Sequence, residues 1–340
     1  MVTVPQALRT PLLHRLGCEI PIMLAGMGGV ARHQLAAAVT NAGGFGVLGM
    51  VREPTSRIRE EVQALQALTD GPFAVNLIPA ATDRRLLTDQ IATCLSLNVD
   101  SFVFFWEVDT GLISFLKREG KQVIHQIGNQ RDADLALAAG ADVLIVQGQE
   151  AGGHVRGQTA TLSLLPQIIA CSDVPVVASG GIASGSALVA ALDMGAQGVS
   201  LGTAFLATHE ANAHDHHKQR VIQASADGTL YSTRFTRNWH EPAPVRVLPN
   251  AVTAGGYNHT DPAVAEQVIG EQDGKPVYLF STDSPLADAT GRVDDMALYC
   301  GQSCGQFHDQ CSATERINRI LQQACTVLNR RASSCQSKKK

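Results

Sequence analysis

Eight short runs rich in apolar and β-branched residues recur along the first 201 positions, at 20–25, 45–49, 73–77, 101–106, 122–126, 142–147, 175–179 and 198–201. Between them lie segments with the apolar spacing of amphipathic helices, at 34–42, 56–68, 84–97, 131–139, 162–171 and 186–194, most of them closed by Gly or Asn. Strands that alternate with helices imply βαβ units and a parallel sheet. A run that is apolar at nearly every position, such as Val143-Leu144-Ile145-Val146, suits a strand buried on both faces, as parallel sheets require. Eight such units in succession favour a closed TIM (β/α)8 barrel over an open doubly wound sheet.

A barrel of this kind takes about 250 residues, so a chain of 340 leaves room for a smaller appendage. The repeating pattern stops after Leu206, giving way to a His-rich stretch, a helix around 218–224 and a Pro/Asn/Gly-rich region. The expected division is a barrel over 1–206, a smaller inserted domain over 207–291, a returning C-terminal helical segment over 292–330 and a polar, basic, disordered tail over 331–340. The helix is expected to span most of 296–328 and to complete the barrel's outer ring.

With 45 % hydrophobic and 17 % charged residues and 31 glycines, the composition is that of a well-buried enzyme with many tight turns. A formal net charge of −4 with scattered Lys and Arg provides no field for a phosphodiester backbone, so nucleic acid is not an expected partner. No run of about 18 apolar residues suggests a membrane span, and the N-terminus lacks the apolar core of a secretory signal. Eight cysteines without such a signal point to reduced thiols, and the reading is cytoplasmic.

Functional groups of a parallel barrel collect where strands end, and phosphate is commonly held after strands seven and eight. Here those loops are Gly180-Gly181-Ile182-Ala183-Ser184-Gly185 and Gly202-Thr203, each leading into a helical segment. Glycine lets backbone N–H groups close on phosphate oxygens, and a helix N-terminus adds partial positive charge. After the sixth strand, 148–157 carries Glu150, His154 and Arg156 on a Gly-rich and therefore flexible loop, and an imidazole there can exchange a proton or, when charged, hold an anion. Gly26-Met27-Gly28-Gly29-Val30-Ala31 formally matches a dinucleotide fingerprint, with Glu53 after the second strand. A Rossmann reading would leave the two late glycine loops unexplained, whereas in a barrel Gly26, Met27 and Gly28 let the first loop run close beneath a flat ring system.

Other clusters read as structural. His209, His214, His216 and His217 fit a solvated helix entrance better than a metal site, and no metal is expected. Cys300, Cys304, His308 and Cys311 fall on one face of the expected helix as small packing residues. Trp106, Glu107 and His125, near the ends of the fourth and fifth strands, are candidates for shaping a substrate pocket or for packing beneath it.

The segments 21–27, 35–49, 72–77, 146–154, 175–185 and 198–210, with the late Tyr299-Cys300-Gly301-Gln302, together resemble the nitronate monooxygenase (2-nitropropane dioxygenase) family of FMN-dependent barrels. The resemblance implies FMN across the barrel mouth, contacted by Gly26, Met27, Asn76, Gln126, Gln147, Gly152, Gly180, Gly181, Ser200, Leu201, Gly202 and Thr203. Position 200, often Gln in the family pattern, is Ser here. His154 matches the active-site histidine, which would bind a nitronate or take the α-proton of a nitroalkane. The implied reaction converts alkyl nitronates such as propionate 3-nitronate, with O2, to carbonyl compounds and nitrite. The same motifs resemble NAD(P)H-dependent quinone reductases and enoyl-acyl-carrier-protein reductases, in which a nicotinamide would be the electron donor.

Overall fold

The computed structural model describes residues 5–239 and 243–337. Its centre is one sheet of eight parallel strands, Ile22–Leu24, Gly46–Gly49, Phe73–Leu77, Ser101–Phe105, Gln122–Ile127, Val143–Gln147, Val176–Ser179 and Gly198–Leu201. From the second strand on, each pairs with the next in the chain, and the first pairs with the last, Met23 opposite Ser200. On its other side the first strand bridges Phe45, where the Leu24 N–H donates to the Phe45 carbonyl at 2.9 Å, and this contact shuts the ring. The TIM barrel expected from the alternation is the fold that forms.

The strands are where the apolar runs lie because each faces both the barrel interior and a helix. All five residues of Val143–Gln147 and all five of Ser101–Phe105 are buried. Burying one large apolar side chain contributes about 1.5–3 kcal/mol, so the continuous core that joins strands and helices is the main source of stability. The helices start and stop on side-chain signals. Asp83, Asp109, Asn129 and Ser184 each accept a hydrogen bond from an N–H in the first turn of the helix that follows. Gly140 ends the helix Gln130–Ala139 in the left-handed region at φ 99°.

The chain beyond Leu206 departs from the expected division. The helix Asp215–Gln223 packs Val221 and Ile222 into the barrel's own core. A separate small core forms from Phe235, Val245, Val247, Ile269, Leu279 and Phe280, and it reaches Met296 and Ala297, past residue 291. Two three-stranded antiparallel sheets surround it. One contains Val268–Gln272, Lys275–Tyr278 and Thr290–Gly291. The other joins Leu230–Ser232 and Val245–Val247 to Gly153–His154, from the loop after the sixth barrel strand.

The C-terminal helix also differs from expectation. It runs from Ala313 to Ser337, so 296–312 is not part of it and 331–337 is not a disordered tail, while 338–340 lie outside the described residues. The four residues expected on one helical face therefore precede the helix. Cys300 precedes the 3-10 turn Gln302–Gln306, Cys304 lies within it, and Cys311 bridges Thr208. The helix lies against Gly185–Asp193 and His33–Asn41, completing the outer ring. Its approach explains Gly185, where a Cβ would stand 2.2 Å from the Ala324 nitrogen.

Candidate functional site

The strand ends open into a cavity of about 400 Å³ shared by the barrel mouth and the appended sheets, within the range of small-molecule sites. Gly26, Met27, Asn76, Gln126, Gln147 and Gly152 line it, as do His154, Gly180, Gly181, Ser200, Gly202 and Thr203. Leu201 does not. Its side chain is 1 % exposed in the core, and its contribution is a carbonyl that accepts from the Ala25 N–H at 3.0 Å.

At the side of the seventh and eighth strands the wall is backbone. Gly180 and Gly181 both have positive φ, 106° and 72°, and a Cβ on Gly180 would stand 3.0 Å from Thr161 Oγ1 and 3.2 Å from two backbone atoms. This turn feeds the helix Gly185–Asp193, so its N–H groups and the helix end can hold a phosphate. The C-terminal segment braces it. Gln306 donates to the Gly181 carbonyl at 2.6 Å and accepts from the Ala183 N–H at 2.9 Å. The Gly301 N–H donates to Thr203 Oγ1 at 3.0 Å. Gly152 permits this passage, since a Cβ on it would lie 2.5 Å from the Gly301 nitrogen.

On the floor, Asn76 donates to the Val103 carbonyl at 3.0 Å while its Oδ1 has no protein partner. The Ser200 hydroxyl is likewise buried and unpartnered. Native interiors leave few such groups unsatisfied, and two of them under one cavity mark polar contacts kept for a ligand.

The loop after the sixth strand is not flexible. Gly153 and His154 pair with Arg246 and Val245, and Gln147 pins the loop twice, donating to the His154 carbonyl at 2.9 Å and accepting from the Arg156 N–H at 3.1 Å. Two of its three charged or basic side chains are used internally. Glu150 caps the helix Thr161–Ala170 through the Thr161 N–H, and Arg156 pairs with Asp132 at 2.9 Å. His154 alone is left for chemistry.

Its imidazole stands among rings. Trp239 stacks on it with centroids 4.0 Å apart, Trp106 meets it edge-on at 6.1 Å, and Tyr299 lies at 5.9 Å. His154 Nε2 is buried without a partner. Removal from water, aided by the Arg52 charge, pushes its pKa down to about 3, so the ring is neutral near pH 7. Tyr299 is fixed by donating to the Thr282 carbonyl at 2.6 Å, and its own carbonyl accepts from His217 at 3.0 Å.

Trp106 has φ +81°, an uncommon conformation for a bulky residue, and its ring packs on His154 and Trp239, which line the cavity. Glu107 is exposed and away from the cavity wall. His125 is fully buried beneath it, with a pKa pushed down to about 4 by desolvation. Sequence reasoning missed Trp239, Gln306 and the cluster in which Arg52 pairs with Asp283 at 2.8 Å. Only the Gly301-Gln302 motif nearby pointed to that part of the chain.

The first loop lines the cavity through Gly26, Met27, Gly28 and Gly29. Arg32, behind it, pairs with Glu61 at 3.2 Å, Asp273 at 2.6 Å and Glu53 at 3.5 Å, and burial raises the Glu53 carboxyl. No group of three or more metal-ligating side chains occurs among the described residues. His214 caps its helix and His216 pairs with Asp294, as suits a helix entrance, whereas His217 is buried rather than solvated. No helix among the described residues is long and apolar enough to cross a membrane.

The nitronate monooxygenase family model matches residues 9–97 and 87–323. A Mycobacterium tuberculosis protein, (3aS,4S,5R,7aS)-5-hydroxy-7a-methyl-1-oxo-octahydro-1H-indene-4-carboxyl-CoA dehydrogenase, is 40 % identical, with 94 % of this chain and 97 % of that protein covered. A probable nitronate monooxygenase of Staphylococcus saprophyticus is 29 % identical over 95 % of this chain and 99 % of its own length. The solved structure of FabK from Thermotoga maritima superposes with a TM-score of 0.81 at 27 % identity, covering 96 % and 99 % of the two chains.

Proposed function

Because this chain belongs to the nitronate monooxygenase family, we propose that it is an FMN-dependent oxidoreductase that dehydrogenates a hydroxylated ring carried on an acyl-CoA thioester. The observation that carries this reading is the setting of His154: walled by indoles and phenol, with a buried Nε2 that no described protein group meets. A neutral imidazole accepts the proton of a hydroxyl group or donates to a carbonyl, whereas holding a nitronate anion favours the charged form. The 40 % identity to the indene-carboxyl-CoA dehydrogenase, against 29 % to the probable nitronate monooxygenase, supports the same choice.

The residues present fit FMN. Gly180, Gly181 and Thr203 would take its phosphate end, and Gly26, Met27, Asn76 and Ser200 would lie along its flat ring, with the unpartnered Asn76 Oδ1 and Ser200 Oγ available to it. Bound there, FMN would supply a two-electron acceptor for the hydrogen on carbon. The chain's own part is to orient the ring carbon, exclude water with Trp106 and Tyr299, and take the hydroxyl proton at His154 Nε2. A nicotinamide would serve as the onward electron acceptor. A cytoplasmic location belongs to this reading, supported by the seven cysteines that are free among the described residues.

The second reading is nitronate oxidation with O2, favoured by the family match itself. Anaerobic flavin reduction separates the two. Rapid bleaching by a hydroxylated bicyclic acyl-CoA, or by NADH or NADPH in the reverse direction, is the expected result. Fast bleaching by propionate 3-nitronate alone would transfer the assignment to the second reading, and protein purified without recoverable FMN would remove both.

A further inference from the structure

The stack on His154 is closer than ordinary aromatic pairs, whose centroids lie roughly 4.5–7 Å apart; at 4.0 Å and 26° no further ring fits between indole and imidazole. A ligand that reaches the face of His154 must therefore take the place of Trp239. The indole is held by apolar packing against the cluster of Ile78, Ala81 and Phe105. Its N–H has no hydrogen-bond partner among the described residues, and its remaining ring contact is the edge of Trp106 at 4.7 Å. What is fastened is the backbone before it. Asn238, at φ +76°, has its carbonyl held by Arg52 at 3.3 Å and its side chain within 3.4 Å of Ser281 and Asp283.

We propose that Trp239 is a placeholder for the substrate's ring body and so determines specificity. Its indole, a six-membered ring fused to a five-membered one, covers the face of His154 beside Trp106, the place that a fused bicyclic ketone or alcohol of similar size takes on binding. Displacement brings the ring-bound oxygen to the unpartnered His154 Nε2. The substrate class is a neutral, apolar, fused six–five bicycle, and a two-carbon nitroalkane is too small to displace the indole. The inference deepens the dehydrogenase reading and rests on it for the oxygen, while the slot and its occupant stand on the ring geometry alone.

The chain has two tryptophans, both at this site, so Trp106→Phe leaves Trp239 as the sole indole emitter. The probe is octahydro-1H-inden-1-one, titrated into the flavin-loaded protein by calorimetry and by tryptophan emission, with nitroethane as the small comparison. The ketone is expected to shift Trp239 emission to the red and to open it to acrylamide quenching, and nitroethane to do neither. Trp239→Ala, freed of the stack that must be broken, is expected to bind the ketone roughly twofold to tenfold more tightly. Trp239→Phe falls between and gives the same sign if the alanine variant folds poorly. Weaker binding in either variant would make Trp239 a recognition platform and overturn the proposal, as would unchanged emission at saturation or no ketone binding to any form. A failed dehydrogenase reading looks different: the binding signs persist while hydroxylated bicyclic thioesters leave the flavin oxidised.

Discussion

The cavity is walled by main chain near the seventh and eighth strands and by rings above the sixth. At the first end Gly180 and Gly181 present N–H groups, and the C-terminal segment braces them through Gln306. At the second, His154 is set among Trp106, Trp239 and Tyr299, and an antiparallel ladder from the appended sheet sets its position. Main chain offers the same donors whatever the substrate, so the first end suits a cofactor held throughout turnover. Side chains can be exchanged one at a time, so the second end suits the part that differs between relatives.

The comparison makes unequal demands on substitutions. His154→Asn removes the proton acceptor and is expected to lower turnover about 10²–10⁴-fold with flavin content unchanged; steady-state rates on flavin-matched protein check it, and loss of flavin would tie the two ends together. Gly180→Val forces a β-branched residue into φ 106° against Thr161. Strain of about 1–3 kcal/mol predicts roughly tenfold to hundredfold weaker FMN binding, measured by reconstitution of stripped protein.

The buried imidazoles make a third test. His125 and His217 have pKa values pushed down to about 4 by burial, against 6.5 for an exposed ring. Between these values the unfolded chain binds protons that the folded one refuses, so stability rises with pH through that window and is lost as pH falls from 6.5 toward 4. Each ring contributes at most about 1.4 kcal/mol per pH unit. Denaturant midpoints between pH 4 and 7 should show the slope, and replacing His217 by Gln should reduce it. Least in size, Gln306→Ala removes two neutral hydrogen bonds and is expected to weaken FMN about threefold to tenfold while sparing turnover at saturating flavin. An equal loss in turnover would show that the brace reaches the imidazole.

The barrel was legible in the sequence because parallel strands are buried on both faces and therefore read as unbroken apolar runs. The glycine loops were legible for a related reason, since a backbone that turns at positive φ leaves a residue type as its trace. The ring cluster was not. Trp239 comes from a stretch rich in Pro, Asn and Gly with no periodicity, and nothing local tells which barrel loop it will meet. The C-terminal error had a signal against it. Ser312-Ala-Thr-Glu315 has the capping-box pattern, and Ser312 Oγ accepts from the Glu315 N–H at 3.1 Å, which marks the true helix start. No Gly or Pro occurs between Ala313 and Ser337, so nothing ends the helix at 330.

The two-residue strand Gly153–His154 has a wider meaning. Because its partner, Val245–Val247, belongs to the appended sheet, the imidazole is built jointly by two parts of the chain that have separate cores. A barrel stripped of that sheet would keep its Gly180-Gly181 turn and its Gln306 brace and lose the ladder that positions His154. The position of the imidazole is thus set by an element that can change while the barrel's strand ends stay as they are.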